Sequence, residues 1–324
     1  MNNPLRIVFM GTPEFAAHSL QTLMERKYHV VGVVTAPDKP AGRGLSTQVS
    51  AVKAMALRYQ LPLLQPEKLR DEQFLEDLKS WNADVFVVVA FRMLPKVVWR
   101  MPRYGAFNLH ASLLPQYRGA APVNWAIING ETSTGITTFF LDENIDTGKI
   151  IFSETTTIGP EENAGQLHDR LMYAGAELVC KTLDAIIAGK VQTFPQPQVS
   201  SLKTAPKIHK DTCRINWNNN AQAIHNLVRG LSPYPAAFSE LTTKDGHTVP
   251  VKIYATNYTI ASHELPNGTI VSDNKTFLKV ACSNGFIEIQ ELQLAGKKRV
   301  AVRDFLSGFR EIIQCNFIDE CQQI

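Results

Sequence analysis

Apolar and polar positions alternate along the first half of the chain in blocks typical of buried strands followed by helices. The short apolar runs lie at 5–10, 29–35, 84–90 and 105–110. Helical periodicity follows the first run to about residue 27 and returns over about 49–60. This alternation predicts an α/β domain with a doubly wound, mostly parallel sheet.

The pattern changes after two further strand-like runs at 135–142 and 149–158. A long helical stretch rich in alanine and leucine covers about 162–189. The segment 190–206 then loses periodicity and contains three prolines, which is typical of a linker.

Beyond residue 206, a helix near 219–230 precedes several short strand-like runs separated by Gly, Asn and Asp. This is the pattern of a small β-barrel. The sequence therefore predicts a catalytic domain over 1–189, a linker over 190–206 and a C-terminal β-barrel domain over 207–324.

Composition and targeting signals narrow the class of protein. At 324 residues the chain exceeds the usual size of one core, and its 44% hydrophobic and 19% charged content is ordinary for a globular protein. No apolar run approaches the roughly 20 residues of a membrane span. The N-terminus has neither a basic leader nor a cleavage site, so we expect a cytoplasmic protein.

The five cysteines are scattered without a C-x-x-C pair, and the eight histidines lie far apart along the chain. We therefore expect free thiols and no metal. Residues 203–310 carry a net charge of +6 against −3 for the remainder. This difference favours an anionic partner for the C-terminal part, although a solvated basic surface explains it as well.

Two polar side chains end the apolar run at 105–110. Asn108 and His110 are two residues apart, so in a strand they project from the same side while Leu109 faces the other. Open α/β sheets bind ligands at the carboxyl ends of their strands, where this pair would lie. The pair suits catalysis, and a buried histidine that caps a turn is the structural alternative.

A carboxylate in the segment 142–150 could complete this pair. Asp142 and Asp146 precede a turn at Thr147-Gly148. A carboxylate near an imidazole stabilises its protonated form, and an amide, an imidazolium and a carboxylate can together stabilise an oxyanion and move a proton. No activated Ser or Cys nucleophile is evident, so two substrates would react directly. An Asx-turn role for Asp146 is the alternative.

The sequence NLHASLLP at 108–115, followed by Gly119 and later by Asp-Thr-Gly at 146–148, resembles the folate-dependent formyltransferases. The resemblance implies a Rossmann-like domain. It also implies a reaction in which 10-formyltetrahydrofolate formylates an amine.

By this resemblance Asn108, His110 and Asp146 are the catalytic residues. Asn108 and protonated His110 would stabilise the oxyanion, and Asp146 would orient and charge the imidazole. The segment after the strand can line an apolar slot and offer backbone groups to a flat heterocycle, although simple core packing also explains it. The resemblance assigns folate binding to Ser112, Leu113, Leu114 and Pro115.

Members of this family formylate glycinamide ribonucleotide, amino sugars or the amino acid on initiator methionyl-tRNA. Segments 9–16, 35–44, 226–237 and 292–300 resemble the members that act on the tRNA, so the resemblance spans nearly the whole chain and implies an OB-like barrel. The implied product is N-formylmethionyl-tRNA for translation initiation. We expect a monomer, because two domains could enclose the substrate. The expected tRNA contacts are Lys39, Arg43, Lys207, Lys297, Lys298 and Arg299.

Two positions depart from the family pattern. Asn144 stands where Gly is common, and because Asn tolerates left-handed backbone angles we expect the turn to be retained. The segment 90–95 is one residue shorter than the usual form and places Arg92 where a small residue is common. This segment would edge the folate pocket, so its contact with folate is left open.

Two other functions stay open at this point. The same core could formylate an amino sugar or glycinamide ribonucleotide, with the barrel serving only as structure. Alternatively, the chain could be a folate-binding or RNA-binding module without activity, against which the intact catalytic trio argues.

Overall fold

The computed structural model describes residues 4–41, 46–243, 245–309 and 312–317. The chain divides into two compact units. The first unit comprises residues up to Gly119, Ser133–Thr157 and His168–Thr204. The second comprises Ala120–Thr132, Ile158–Leu167 and the residues from Ala205 onward.

The strands and helices follow the predicted alternation in the first half of the chain. The strands are β1 Ile7–Gly11, β2 Val30–Val34, β3 Lys39–Ala41, β4 Ser46–Gln48, β5 Leu63–Leu64, β6 Val85–Val89, β7 Ala106–His110, β8 Arg118–Gly119, β9 Ser133–Phe140, β10 Ile150–Thr157, β11 Thr204–Ala205, β12 Ala237–Thr242, β13 Thr248–Ile260, β14 Ile270–Ser272, β15 Leu278–Cys282, β16 Gly285–Leu294, β17 Val300–Ala301 and β18 Asn316–Phe317. The helices are α1 Glu14–Glu25, α2 Ala51–Arg58, α3 Glu72–Ser80, α4 Lys96–Trp99, α5 Pro122–Ile128, α6 Ala164–Ile187, α7 Ala221–Leu231 and α8 Val302–Gly308, with 3₁₀ turns at Asp211–Cys213 and Ile312–Gln314.

The first unit is built on a seven-stranded sheet in the order β10-β9-β7-β6-β1-β2-β5. Strands β7, β6, β1, β2 and β5 are parallel, whereas β9 and β10 add an antiparallel edge beside β7. The uninterrupted apolar strands β1 and β6 are buried along their whole length, as both faces of a central parallel strand require. Strand β7 lies between β6 and β9 and is therefore an interior strand of the sheet. Its carboxyl end has a neighbouring strand on each side.

The second unit contains antiparallel strands in the order β14-β15-β16-β13-β12-β18, with β17 paired to β16. Buried and half-buried residues alternate along β12, as expected for a strand with one face toward a barrel core. That core includes Trp217, Ile224, Ile253 and Ile287, all of them buried. The predicted combination of an α/β domain with a C-terminal β-barrel is confirmed.

Helix α5 packs within the second unit although it comes early in the chain. The Asn124 side-chain amide donates to the Gly230 carbonyl oxygen at 2.8 Å, and a Cβ on Gly130 would lie 2.9 Å from Asn226 Nδ2. Residues 120–132 and 158–167 fall inside the span 1–189 but group with the barrel.

Two sequence expectations concern single features. In the described part of the chain, none of the helices combines the length and apolar character needed to cross a bilayer. Cys180, Cys213, Cys282 and Cys315 are free and buried, and Cys321 lies outside the described residues.

Candidate active site

The carboxyl end of β7 places two polar side chains where sequence periodicity predicts them. Asn108 is in register with Val88 of β6 and Phe139 of β9. It is half-buried, and its Oδ1 atom is fully buried without a hydrogen-bond partner among the described residues. His110 is buried. An unpartnered buried amide oxygen is unusual in a folded protein, and here it lies at the carboxyl end of a sheet strand, where open α/β sheets bind their ligands.

The His110 ring is held by a backbone carbonyl. Its Nε2 atom lies 2.8 Å from the Tyr117 carbonyl oxygen, and because a carbonyl can only accept, Nε2 carries a hydrogen. The other ring nitrogen, Nδ1, lies 3.9 Å from Asp146 Oδ2. This separation gives Coulomb attraction to a proton on Nδ1 but exceeds hydrogen-bond length. Nδ1 is therefore the ring nitrogen that faces the Asp146 carboxylate, whereas Nε2 is held by the backbone.

Asp146 is presented by a tight loop. Its φ of 54° lies in the left-handed region that non-glycine residues seldom occupy. Its Oδ2 atom accepts a hydrogen bond from the Gly119 N–H at 2.9 Å. Gly148 closes the loop against β9, where an added Cβ would come within 1.6 Å of the Phe140 carbonyl oxygen. Only glycine fits at this position.

The same loop contains Asn144, which stands where the family commonly has Gly. Asp142 Oδ1 accepts from the Asn144 N–H at 3.1 Å and from the Thr147 hydroxyl at 2.6 Å. Asn144 is not among the described residues with positive φ, whereas Asp146 is. The turn is retained as expected, but a carboxylate cap and a left-handed Asp146 produce it, rather than a left-handed Asn144.

The segment Ser112–Pro115 turns away from β7 through its own hydrogen bonds. The buried Ser112 hydroxyl donates to the Gln116 carbonyl oxygen at 2.7 Å, and the Ser112 carbonyl accepts from the Thr137 hydroxyl at 2.7 Å. The Leu114 N–H points to the same Thr137 oxygen at 3.3 Å. Leu114 and Pro115 are buried and Leu113 is half-buried. The polar groups of Ser112 thus shape the loop, and its leucines supply the apolar surface.

Gln196 completes the support of the Asp146 loop from the predicted linker. Its Nε2 atom donates to the carbonyl oxygens of Asp146 at 2.8 Å and Gly148 at 2.9 Å. Its Oε1 atom accepts from Arg118 Nε at 3.2 Å and Nη2 at 2.6 Å. All these residues belong to the first unit.

Two family models match this chain. The formyl transferase model covers residues 5–183, and the model of the formyl transferase C-terminal domain covers residues 207–310. The chain belongs to the formyl transferase family. The family predicted from residues 108–119 and 146–148 is confirmed, and with it the class of enzyme.

This formyl transferase is similar over most of its length to curated relatives. It is 56% identical over 308 residues to a methionyl-tRNA formyltransferase of Bacteroides fragilis, covering 94% of this chain and 95% of the relative. It is 54% identical over 304 residues to a methionyl-tRNA formyltransferase of Flavobacterium johnsoniae, covering 94% and 96% of the two chains.

Solved structures share the fold of this formyl transferase. The sugar 3N-formyl transferase WlaRD has a TM-score of 0.62 at 19% identity, covering 92% of this chain and 100% of that chain. HypX from Aquifex aeolicus in complex with tetrahydrofolic acid has a TM-score of 0.62 at 17% identity, covering 95% of this chain and 48% of that chain. These matches support the two-part architecture.

Arg92, the second departure from the family pattern, is tied to a neighbouring segment. Its guanidinium donates to the carbonyl oxygens of Pro66 at 2.7 Å and Glu67 at 2.9 Å. Burial lowers the pKa of Arg92 from its ordinary value. Ala90, with a φ of 45°, forms the sharp turn directly after β6. The Arg92 side chain therefore braces the 66–67 segment.

The predicted tRNA contacts of this formyl transferase lie at several places. Lys297, Lys298 and Arg299 are exposed together in the turn between β16 and β17. The Arg299 guanidinium binds the Glu291 carboxylate and lies 4.4 Å from the centre of the Tyr254 ring, so its charge is partly compensated.

The other three predicted contacts are separate in sequence from this turn. Lys207 is exposed on the segment after β11, and its ammonium group makes no hydrogen bond or ion pair in the part of the chain that the structure describes. Lys39 begins β3. Arg43 lies outside the described residues.

Sequence reasoning missed three contributors to the site. The Tyr117 carbonyl and the Gly119 N–H act through the backbone, which side-chain patterns do not reveal. Gln196 lies in a segment without periodicity, so no pattern pointed to it. Among the described residues, no group of three or more His, Cys, Asp or Glu is arranged to hold a metal ion.

Proposed function

We propose that this formyl transferase transfers the formyl group of 10-formyltetrahydrofolate to the free amino group of methionyl initiator tRNA, giving N-formylmethionyl-tRNA for translation initiation. One observation supports the chemistry above all. The Asn108 side chain lies at the same strand end as His110, whose Nδ1 atom is 3.9 Å from the Asp146 carboxylate. The curated relatives, 56% and 54% identical, support the choice of acceptor.

Asn108 and His110 stabilise the negative charge that develops on the formyl oxygen when the neutral amine attacks the formyl carbon. The bond between the formyl carbon and the tetrahydrofolate nitrogen then breaks, and the proton that the amine loses ends on that leaving nitrogen. The Asn108 amide offers N–H donors for this oxyanion. His110 Nε2 is engaged by the Tyr117 carbonyl, so Nδ1 carries the proton that serves the reaction. Because Asp146 Oδ2 lies beyond hydrogen-bond reach of Nδ1, the Nδ1–H stays available to the oxyanion while the carboxylate attracts the positive ring.

The segment Ser112–Pro115 is the part of the site that would hold the folate co-substrate, which supplies the formyl carbon. One observation fits such a ligand. Leu113 is half-buried next to buried Leu114 and Pro115, so the segment presents apolar surface. Ser112 contributes indirectly, since its hydroxyl and carbonyl are both used within the protein.

Binding of the tRNA involves Lys207, Lys297, Lys298 and Arg299 on the C-terminal part, together with Lys39 and Arg43. The exposed ammonium groups of the C-terminal part would neutralise RNA phosphates. The functional division is a catalytic domain at 1–189, a linker at 190–206 and a tRNA-binding domain at 207–324. We further propose that the enzyme is a cytoplasmic monomer.

The product of an acceptor competition tests this function. Purified protein receives 10-formyltetrahydrofolate with initiator methionyl-tRNA, glycinamide ribonucleotide and a nucleotide-linked amino sugar, and mass spectrometry identifies the formylated amine. The expected result is formylmethionyl-tRNA as the dominant product. Formylation of the ribonucleotide or the sugar instead would overturn the proposed acceptor, and no formylation at all would overturn the proposed activity.

A further inference from the structure

The segment 190–206, predicted to be a linker, contacts the loop that carries Asp146. Phe194 forms an isolated antiparallel bridge with Ile150, and its N–H and carbonyl pair with Ile150 at 2.9 Å and 2.8 Å. Further along, the Lys203 carbonyl accepts from the Tyr117 N–H at 2.7 Å. Residues 194–203 are therefore held at both ends, by the start of β10 and by the residue before β8, and Gln196 lies between these two points.

The Gln196 side chain uses both its N–H donors and its oxygen. The two donors go to the carbonyls of Asp146 and Gly148, and the oxygen accepts twice from Arg118. A primary amide has two N–H donors and one carbonyl oxygen, so this side chain is fully satisfied. Because every hydrogen-bonding group of this half-buried side chain is engaged, Gln196 restricts the backbone conformation of the loop that carries Asp146.

That loop needs a constraint because Asp146 is in a left-handed conformation. For a residue with a Cβ, this conformation is sterically unfavourable. The direction of the carboxylate depends on the backbone that carries it. Gln196 binds the carbonyls on either side of Thr147, while the Gly119 N–H binds Asp146 Oδ2. Arg118 precedes Gly119 and is bound to Gln196, so the carboxylate and its donor are held by one side chain.

We propose that Gln196 is a positioning residue for formyl transfer, which fixes the Asp146 carboxylate opposite His110 Nδ1 by bracing Asp146, Gly148 and Arg118. This inference rests on the proposed function, because it acts through the catalytic role of Asp146. It assigns part of the catalytic geometry to the segment 190–206.

Steady-state kinetics of four single variants and one double variant test this role. Gln196→Ala removes all the side-chain hydrogen bonds. Gln196→Glu keeps the size and the Arg118 acceptor but removes both N–H donors. Gln198→Ala is the matched control, since Gln198 is exposed in the same segment. Asp146→Asn measures how much kcat depends on the carboxylate. The double variant Asp146→Asn/Gln196→Ala shows whether the effects of the two residues on kcat are coupled.

We expect Gln196→Ala and Gln196→Glu to lower kcat by about 10- to 100-fold, because small misplacements in a catalytic site have effects of this size. The KM of both substrates should stay within about threefold, and Gln198→Ala should match the wild type. The double variant should be within about threefold of Asp146→Asn alone. If Gln196→Ala does not fold, the Gln196→Glu variant and its combination with Asp146→Asn provide the same comparison.

The possible outcomes distinguish a failure of the positioning role of Gln196 from a failure of the proposed formyl transfer function. If Asp146→Asn is strongly impaired and the Gln196 variants match the wild type, the positioning role is wrong and the proposed function stands. If the impairments at the two positions multiply in the double variant, Gln196 acts independently of Asp146 and the proposal is overturned. If Asp146→Asn keeps the wild-type kcat, the catalytic role of Asp146 is wrong, and the positioning role fails with it.

Discussion

His110 Nδ1 lies 3.9 Å from Asp146 Oδ2, with side chains only 7% and 13% exposed. Their attraction is therefore weakly screened by solvent and salt. The Tyr117 carbonyl fixes the opposite nitrogen, so the ring cannot rotate freely to bring Nε2 toward the carboxylate. The imidazole thus has one nitrogen that the backbone holds and one that faces the carboxylate, and under the proposed function the second takes part in the reaction.

Removal of the imidazole tests that division. His110→Ala should lower kcat by about 10²- to 10⁴-fold, the usual contribution of a positioned acid or base. The measurement is initial velocity at saturating substrates, with circular dichroism to confirm folding. His209→Ala removes an exposed imidazole and should leave turnover unchanged. Undiminished turnover in His110→Ala would rule out its catalytic role.

The proposed oxyanion role of the Asn108 amide gives a second prediction. Asn108→Ala should lower kcat by about 10²- to 10³-fold, the range found when one oxyanion donor is removed. Asn108→Asp should be at least as impaired, because an isosteric carboxylate replaces the N–H donors with negative charge at the oxyanion. Pre-steady-state measurement of a single turnover would separate this effect from product release. Equal activity of the Asp variant and the wild type would contradict the donor role.

The two lysines of the β16–β17 turn should affect binding more than chemistry. The double variant Lys297→Ala/Lys298→Ala is expected to raise the KM for methionyl-tRNA about tenfold, with kcat within about twofold. The slope of log kcat/KM against log salt should become shallower by about one for each phosphate that a lysine no longer neutralises. Lys275→Ala removes an exposed charge elsewhere on the barrel and should change neither quantity. A large decrease in kcat at saturating tRNA would contradict this prediction.

Buried His225 makes the stability of the second unit dependent on pH. Burial lowers the pKa of His225 from its ordinary value, which Glu161 partly opposes and Arg229 reinforces. Its Nδ1 atom is 3.1 Å from the Thr256 hydroxyl, and its Nε2 atom is 3.5 Å from Glu161 Oε2. As pH falls below about 6.5, the unfolded chain takes up the proton before the folded one. Stability should therefore be highest above that pH and decrease on acidification.

The thermal midpoint measured from pH 8 to pH 5 checks this effect. One histidine changes the free energy of unfolding by at most about 1.4 kcal/mol per pH unit. His225→Gln should flatten the acid side of the profile, whereas His209→Gln, at an exposed position, should leave it unchanged. An identical slope in the wild type and His225→Gln would show that other groups cause the pH dependence.

Sequence periodicity predicted those parts of the site that depend on regular structure. Asn108 and His110 follow from the two-residue period of a strand and from its carboxyl end. The left-handed backbone falls on Asp146 rather than Asn144 because tertiary hydrogen bonds from Gln196 and the cap by Asp142 determine the loop. Bonds such as those of Gln196 join residues distant in sequence, so local pattern contains no signal for them. The family resemblance predicted the role of Asp146. The structure shows the hydrogen bonds from Gly119 and Gln196 that hold its loop.

The bridge between Phe194 and Ile150 also bears on how small an active piece of this chain can be. The first family match ends at residue 183 and helix α6 ends at Ile187. A fragment ended at either point would keep Asn108, His110 and Asp146 but lack the side chain that braces the loop. Because the Lys203 carbonyl accepts from the Tyr117 N–H and the Tyr117 carbonyl binds His110, a piece that keeps these contacts must reach at least Lys203. We therefore expect a minimal formylating fragment to need the residues from the end of α6 to Lys203.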